Sequence, residues 1–173
     1  MVFDQPRLLT TNVSGRGTFE KLASGFRKSL DAITATRAIK TTTTRSQFPR
    51  TSPIDPGPID TILSMKGTVT NGIYRASIGQ ISVVNNTPFG KEMGASTFIV
   101  LSGANQDAMV QGEIVATADQ LQRVLKALRA RRLDLKSIRN HTIAEHPQLL
   151  FVRFAGNGPA TELAKAVRYA LDV

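Results

Sequence analysis

The 173-residue chain has no cysteine and no tryptophan, and only two tyrosines and two histidines. Without cysteine there is no disulfide, no thiolate metal site and no cysteine nucleophile. Without tryptophan, and with only Tyr74 and Tyr169, much of the stacking equipment of single-strand nucleic-acid binders is missing. No apolar run approaches the roughly 20 residues that span a bilayer. The opening MVFDQPRLLT breaks its apolar residues with Asp4, Gln5, Pro6 and Arg7, so it does not read as a secretory signal. A soluble chain is expected, cytoplasmic if Met1 is the native start. Acidic residues are scarce as well: 13 Asp and Glu stand against 22 Lys and Arg, a net charge of +9. Such a balance favours anionic partners. The excess is spread along the chain, with nine basic against four acidic residues in 1–58 and thirteen against nine in 59–173.

The composition changes near residue 58. Residues 1–58 read as a basic N-terminal arm. Within it Phe19, Leu22, Phe26, Leu30 and Ile33 recur at steps of three and four, which predicts one amphipathic helix over about 18–38. Lys21, Arg27, Lys28 and Arg37 give its polar face a basic character. A helix that docks on the domain, on a protein partner or on a second copy of the chain is the leading reading. A membrane-surface helix and an organelle transit segment stand beside it. Thr41–Thr44 and then Pro49, Pro53, Pro56 and Pro58 read as a Thr/Pro-rich linker, because proline fixes φ and removes a donor.

Residues 59–173 predict an α+β domain. Asn71-Gly72 between β-rich runs is a hairpin signal, with Asn85-Asn86-Thr87-Pro88 closing the segment. STFIVLSG and AMVQGEIVA predict two strands around a turn at Gly103–Asp107. ATADQLQRVLKALRARR predicts a helix with Thr117 as N-cap, Leu121, Val124, Leu125 and Leu128 inward, and Arg131 and Arg132 in the last turn. Two strands over about 133–142 and 148–155 follow. Gly156-Asn157-Gly158-Pro159 then turns into a final helix with Pro159 at its first position and Leu163, Ala166, Val167 and Ala170 inward. The order strand–strand–helix–strand–strand–helix predicts two layers: a mostly antiparallel sheet with two helices on one face. No complete GxGxxG and no GxxxxGK[ST] occurs, which removes dinucleotide and P-loop readings and leaves no cofactor to expect.

From Ile59 onward the chain resembles the bacterial LppY/LpqO-type domain, a family of unknown function. GIYRASIGQ, GKEMGASTFIVLSGANQDAMVQGEIVATADQLQRVLKALRARRLDL and HPQLLFVRFAGNGPATELAKAVRYALD carry the resemblance. The family's Gly-acid pair is kept as Gly112-Glu113. Its His-Asn-His reads Arg139-Asn140-His141 here, its Pro-Arg reads Pro147-Gln148, and Arg153 stands where a further histidine is usual. The resemblance implies a cluster of imidazoles in relatives that this chain replaces mostly with guanidinium groups.

If a turn pairs residue 141 with 149, then 139 opposes 151 and 137 opposes 153. Arg139, His141 and Arg153 then share one sheet face. Guanidinium groups cannot ligate a metal, so no metal site and no catalytic residue is assigned. Arg139, His141, Arg153 and Glu113 form the candidate ligand or anion site, since arginine's planar fork suits carboxylate and phosphate. His146 reads as a turn residue. The alternative is a metal-dependent or acid–base enzyme using His141 and Glu113. A second alternative is nucleic-acid binding by the basic helix surface of Arg123, Lys126, Arg129, Arg131 and Arg132. The leading reading is a non-enzymatic binding or assembly module.

Overall fold

The computed structural model describes residues 13, 15–36, 54–141 and 145–173. The Thr/Pro-rich stretch from Thr41 to Pro53 and the expected strand end at Thr142 lie outside these. Two compact units result, Met1–Gln47 and Phe48–Val173. Among the described residues, no helix is long and apolar enough to cross a membrane.

The first unit holds helix α1, Phe19–Thr36, where the apolar steps of three and four predict it. Thr18 accepts from the Lys21 backbone N–H at 3.4 Å. Arg27 and Asp31, one turn apart, pair at 2.6 Å.

The second unit opens with a helix that the proline-rich composition concealed. Helix α2 runs Pro56–Leu63, so Pro56 and Pro58, read as linker, form its first turn. Asp55 caps it by accepting from the Gly57 N–H at 3.0 Å. Proline is well suited there, because the first turn's N–H groups have no helical acceptor. Ile59 and Leu63 are fully buried, and the change of composition at residue 58 falls inside this helix.

Strands β1 (Thr68–Thr70) and β2 (Ile73–Gly79) form the Asn71-Gly72 hairpin. Both turn residues have positive φ, as the twist-matched two-residue turn demands. The chain then leaves this sheet. Strands β3 (Ser82–Val84) and β4 (Thr87–Phe89) make a second hairpin on Asn85 and Asn86, also at positive φ. Strands β5 (Ser96–Gly103) and β6 (Ala108–Ala116) follow, then α3 (Ala118–Ala130), β7 (Asp134–Asn140), β8 (Glu145–His146), β9 (Leu150–Gly158) and α4 (Ala160–Leu171). The main sheet has the order β1-β2-β5-β6-β9-β7, the small one β4-β3-β8, and every pairing is antiparallel. The expected α+β class is observed, and the main sheet keeps the strand–strand–helix–strand–strand–helix order after its hairpin, but β8 of the small sheet is inserted between β7 and β9 and a third helix, α2, joins the two expected. His146 is a strand residue of β8, opposite Val83, rather than part of a turn. Pro159 stands at the N-cap of α4, one place before the position predicted for it.

Helices α2, α3 and α4 cover one face of the main sheet. Tyr74, Ile99, Leu101, Val110, Val152 and Phe154 meet Val124, Leu128, Leu163 and Val167 in this core. Leu121 and Leu125, expected inward, are partly buried against it. Asn105, in the β5–β6 turn, binds both helix starts: its side-chain oxygen accepts from Asp55 N–H at 2.9 Å and its carbonyl from Ala160 N–H at 2.8 Å.

Tyr74 ties α2 to the sheet. Its hydroxyl donates to Asp60 at 2.8 Å, and the same carboxylate accepts the Gly67 N–H at 2.9 Å. Burial first, then the Asp60 hydrogen bond and charge, push the phenol's ionisation well above its ordinary value of 10.0. The folded state keeps its proton at pH values where the unfolded chain releases it, so stability falls as pH rises beyond about 10. Tyr74→Phe is expected to cost about 1.5–2 kcal/mol at neutral pH and to flatten that alkaline decline. Urea titrations at pH 7 and 10.5 check both; an unchanged alkaline slope would show that Tyr74 is not its source.

Candidate functional site

The face of the main sheet opposite the helices is only partly covered. Side chains alternate along a strand. Ile114 and Val152 belong to the helix-side core, whereas Val115 and Phe151 join a second cluster with Phe89, Ala95 and Leu149. The small sheet thus closes one end of the open face. Four cross-strand rows follow from the register. Arg139 and Phe151 lie at the covered end, next come Ser77, Phe98, Glu113, Arg153 and Ser137, then Arg75, Val100, Gln111 and Ala155, and last Ser102 and Met109 with Ile73 alongside.

The pairings 139 with 151 and 137 with 153, expected from the sequence, are the observed ones, and the 141 N–H reaches the Leu149 carbonyl at 3.3 Å. Arg139 and Arg153 consequently project beside Glu113. Glu113 Oε1 accepts from Arg139 Nη2 at 2.7 Å, and Oε2 lies 3.4 Å from Arg153 Nη2. Glu113 is 3% exposed, while the Arg139 and Arg153 side chains are 27% and 23% exposed. One enclosed carboxylate is flanked by two guanidinium groups that each keep an edge toward water.

His141 shares the face but does not join this charge cluster. Its ring is stacked between Phe89 at 5.2 Å and Phe151 at 5.0 Å, and the Arg139 guanidinium lies over the same Phe151 ring at 4.3 Å. The imidazole is an aromatic plate linking the two sheets, and the His141–Glu113 pairing of the enzyme alternative is not formed. Among the described residues, no group of three His, Asp or Glu side chains comes together as a metal site. His141→Ala should therefore cost about 1–2 kcal/mol through two lost ring contacts, and His141→Phe should stay within about 0.5 kcal/mol of the parent. Chemical denaturation separates them: two equally weakened variants would mean that imidazole polarity, not its ring, holds the sheets together.

The basic helix surface lies elsewhere. Arg123, Lys126, Arg129, Arg131 and Arg132 are all exposed, but α3 packs on the other face of the main sheet, so they do not add to the Arg139–Arg153 pair. Arg131 rests over the Tyr169 ring at 4.2 Å. Sequence reasoning missed two contributors to the site region. Glu145 is 2% exposed, accepts the Leu149 N–H at 2.9 Å through Oε1 and, among the described residues, has no hydrogen-bond partner on Oε2. Phe89 reaches His141 from a hairpin that the sequence placed in the main sheet's first hairpin segment.

Beside the charged row the open face sinks into a shallow depression of about 190 Å³, lined by Ile73, Val100, Ser102, Met109 and Gln111 and overwhelmingly apolar. Arg75 lies over the Phe98 ring at 5.4 Å on its β2 flank.

No curated protein and no solved structure matches the chain. A family model described as Domain of Unknown Function (DUF1259) matches residues 57–173, from α2 to the end of the chain, and the chain belongs to that family.

Proposed function

We propose that the second unit is a non-enzymatic binding module that receives an anionic group, carboxylate or phosphate, at the exposed edges of Arg139 and Arg153. The observation that carries this reading is the charge imbalance at Glu113. One carboxylate faces two guanidinium groups, and its second contact, at 3.4 Å, is too long to be a strong hydrogen bond. A guanidinium offers five donors in a planar fork. Most of those of Arg153 are left for a ligand. Within the family, we place the chain beside the LppY/LpqO-type domains on Gly112-Glu113 and Asn140-His141. Arginine at 139 and 153 is then a conversion from a cation-seeking to an anion-seeking site.

Titration calorimetry with inorganic phosphate and with acetate at low ionic strength tests the reading. Weak binding is expected, with affinity reduced about tenfold or more by Arg153→Gln, a variant that leaves the Arg139–Glu113 pair in place. Affinity that ignores Arg153→Gln but falls in an Arg123→Gln, Lys126→Gln, Arg129→Gln triple variant would move the site to the helix surface and overturn it.

To the N-terminal arm we assign docking on a protein partner. Helix α1 exposes Phe19, Leu22, Phe26 and Leu30 along one stripe, and a contiguous exposed apolar stripe marks an interaction surface. Protease should cut the arm in isolated protein and spare it in a native complex. Equal cutting in both would remove the docking role.

A further inference from the structure

We infer that the ligand of this open face is an amphiphilic carboxylate, with its head at Arg153 and an unbranched apolar tail lying in the depression between β2, β5 and β6. This rests on the anion reading above and adds the chemistry of the ligand's body. Glu113 and Gln111 point to the same face of β6, and Phe98 and Val100 to the same face of β5. The apolar floor therefore begins one row, about 7 Å, from the charged row. It continues to Met109, four residues from Glu113 along β6 and so about 13 Å away. Arg153 stands beside Glu113 on the neighbouring strand β9, so a cationic edge and an apolar floor lie diagonally adjacent on this face, an arrangement that an anionic head with a tail would fill.

The size and lining of the depression narrow the class. At about 190 Å³ it falls below the roughly 300 Å³ at which drug-sized pockets begin. A medium-length chain fits it; a fused-ring body does not. Ile73, Val100 and Met109 contribute no hydrogen-bonding side-chain group beyond the weak thioether; the polar groups of the lining are the Ser102 hydroxyl, on a residue only 5% exposed, and Gln111, which already directs its amide N–H to the Met109 sulfur at 3.8 Å. A sugar or nucleoside carries more hydroxyls than Ser102 and Gln111 can pair and would leave most of them unsatisfied there, which is costly. Met109 adds an adaptable wall, since its unbranched side chain follows an irregular partner. Arg75, on the other flank, is the competing cation for the head.

Calorimetry and amide-shift mapping of the full chain with acetate, butanoate and octanoate, at fixed ionic strength and below micelle formation, test the inference. Affinity should rise about twofold to fourfold per added methylene, the upper figure corresponding to complete burial. Octanoate should shift the amides of Val100, Met109 and Gln111. Arg153→Gln should weaken all three acids about tenfold, whereas Val100→Thr with Met109→Gln should erase the gain from chain length and leave acetate unchanged. Acetate binding with no chain-length gain would sink the amphiphile and leave the anion reading standing. No binding by any of the acids, phosphate included, would remove both. Octanoate binding that needs Arg75 and ignores Arg153 would overturn the assigned head position. A stable dimer that buries this face and excludes octanoate would make a second copy its occupant and also overturn the inference.

Discussion

Glu113→Ala should lower the free energy of unfolding by about 2–4 kcal/mol, a large loss for one residue on a sheet face. Removing one partner of a fully buried ion pair typically costs 3–5 kcal/mol, because the charge left behind has no compensation. Here the charges left behind are Arg139 and Arg153, which keep 27% and 23% of their side chains exposed, so water recovers part of the cost. Two nearby guanidinium groups would then repel each other with no carboxylate between them. The same change should strengthen anion binding: phosphate affinity is expected to rise about tenfold, since the internal competitor is gone. Glu113→Gln, which keeps the shape and an acceptor, should lose less stability and gain a similar increase in affinity. Urea unfolding in phosphate and in chloride, at matched ionic strength, reads both effects together. Binding to the folded state alone adds RT ln(1 + [L]/Kd), so phosphate should restore part of the Glu113→Ala loss. A variant within about 0.5 kcal/mol of the parent in chloride would mean that the arginines do not depend on Glu113.

Much of this face could be read from the residues because strand pairing is a counting problem. With residue 141 set against 149, the alternation of side chains places Arg139, His141 and Arg153 on one side, and the observed pairing of 139 with 151 and 137 with 153 agrees. Periodicity also identified α3, α4 and α1, and Asn71-Gly72 identified the first hairpin. What could not be counted was the covering of a face. Nothing local tells that Gly79 ends one sheet's strand and that Ser82 begins another's, because both lie in β-rich text. The Phe89 that sandwiches His141 depends on that change of sheet. Strand alternation alone offers His141 to Glu113, whereas two aromatic rings occupy its flat faces. Pro56 and Pro58 misled for a different reason: proline breaks a helix interior but suits a first turn. Only burial of Ile59 and Leu63 against α4 and the sheet decides between a linker and a helix start. The burial of Glu145 had no sequence signal either, since its enclosure comes from the small sheet.

Gly112 and Glu113 show how one dipeptide serves both faces, and Gly112→Ala is the sharpest test of the helix-side half. Gly112 alternates with Glu113, so it points toward the helices, where the Phe154 ring crosses the strand. An added Cβ would approach Phe154 Cζ to 2.5 Å and the Phe98 carbonyl oxygen to 2.6 Å. The ring could rotate or retreat, but the carbonyl belongs to the paired backbone of β5 and can yield only if the strands separate. Overpacking a close-packed core costs about 1–3 kcal/mol, and the backbone contact places Gly112→Ala at the upper end, about 3 kcal/mol. Displacement of β6 should also disturb its neighbour: Glu113 would shift relative to Arg153, whose contact at 3.4 Å has little room to lengthen. The variant is thus expected to lose stability and to change phosphate affinity together, although residue 112 never faces the ligand. Phe154→Leu in the Gly112→Ala background should recover about 1 kcal/mol, the part owed to the ring, while the part owed to the Phe98 carbonyl persists. A strictly additive double mutant would show that Phe154 is not what excludes a side chain from position 112. A glycine required by an aromatic ring on one face and an acid required by two arginines on the other explain together why this pair, and neither residue alone, fixes the middle of the sheet.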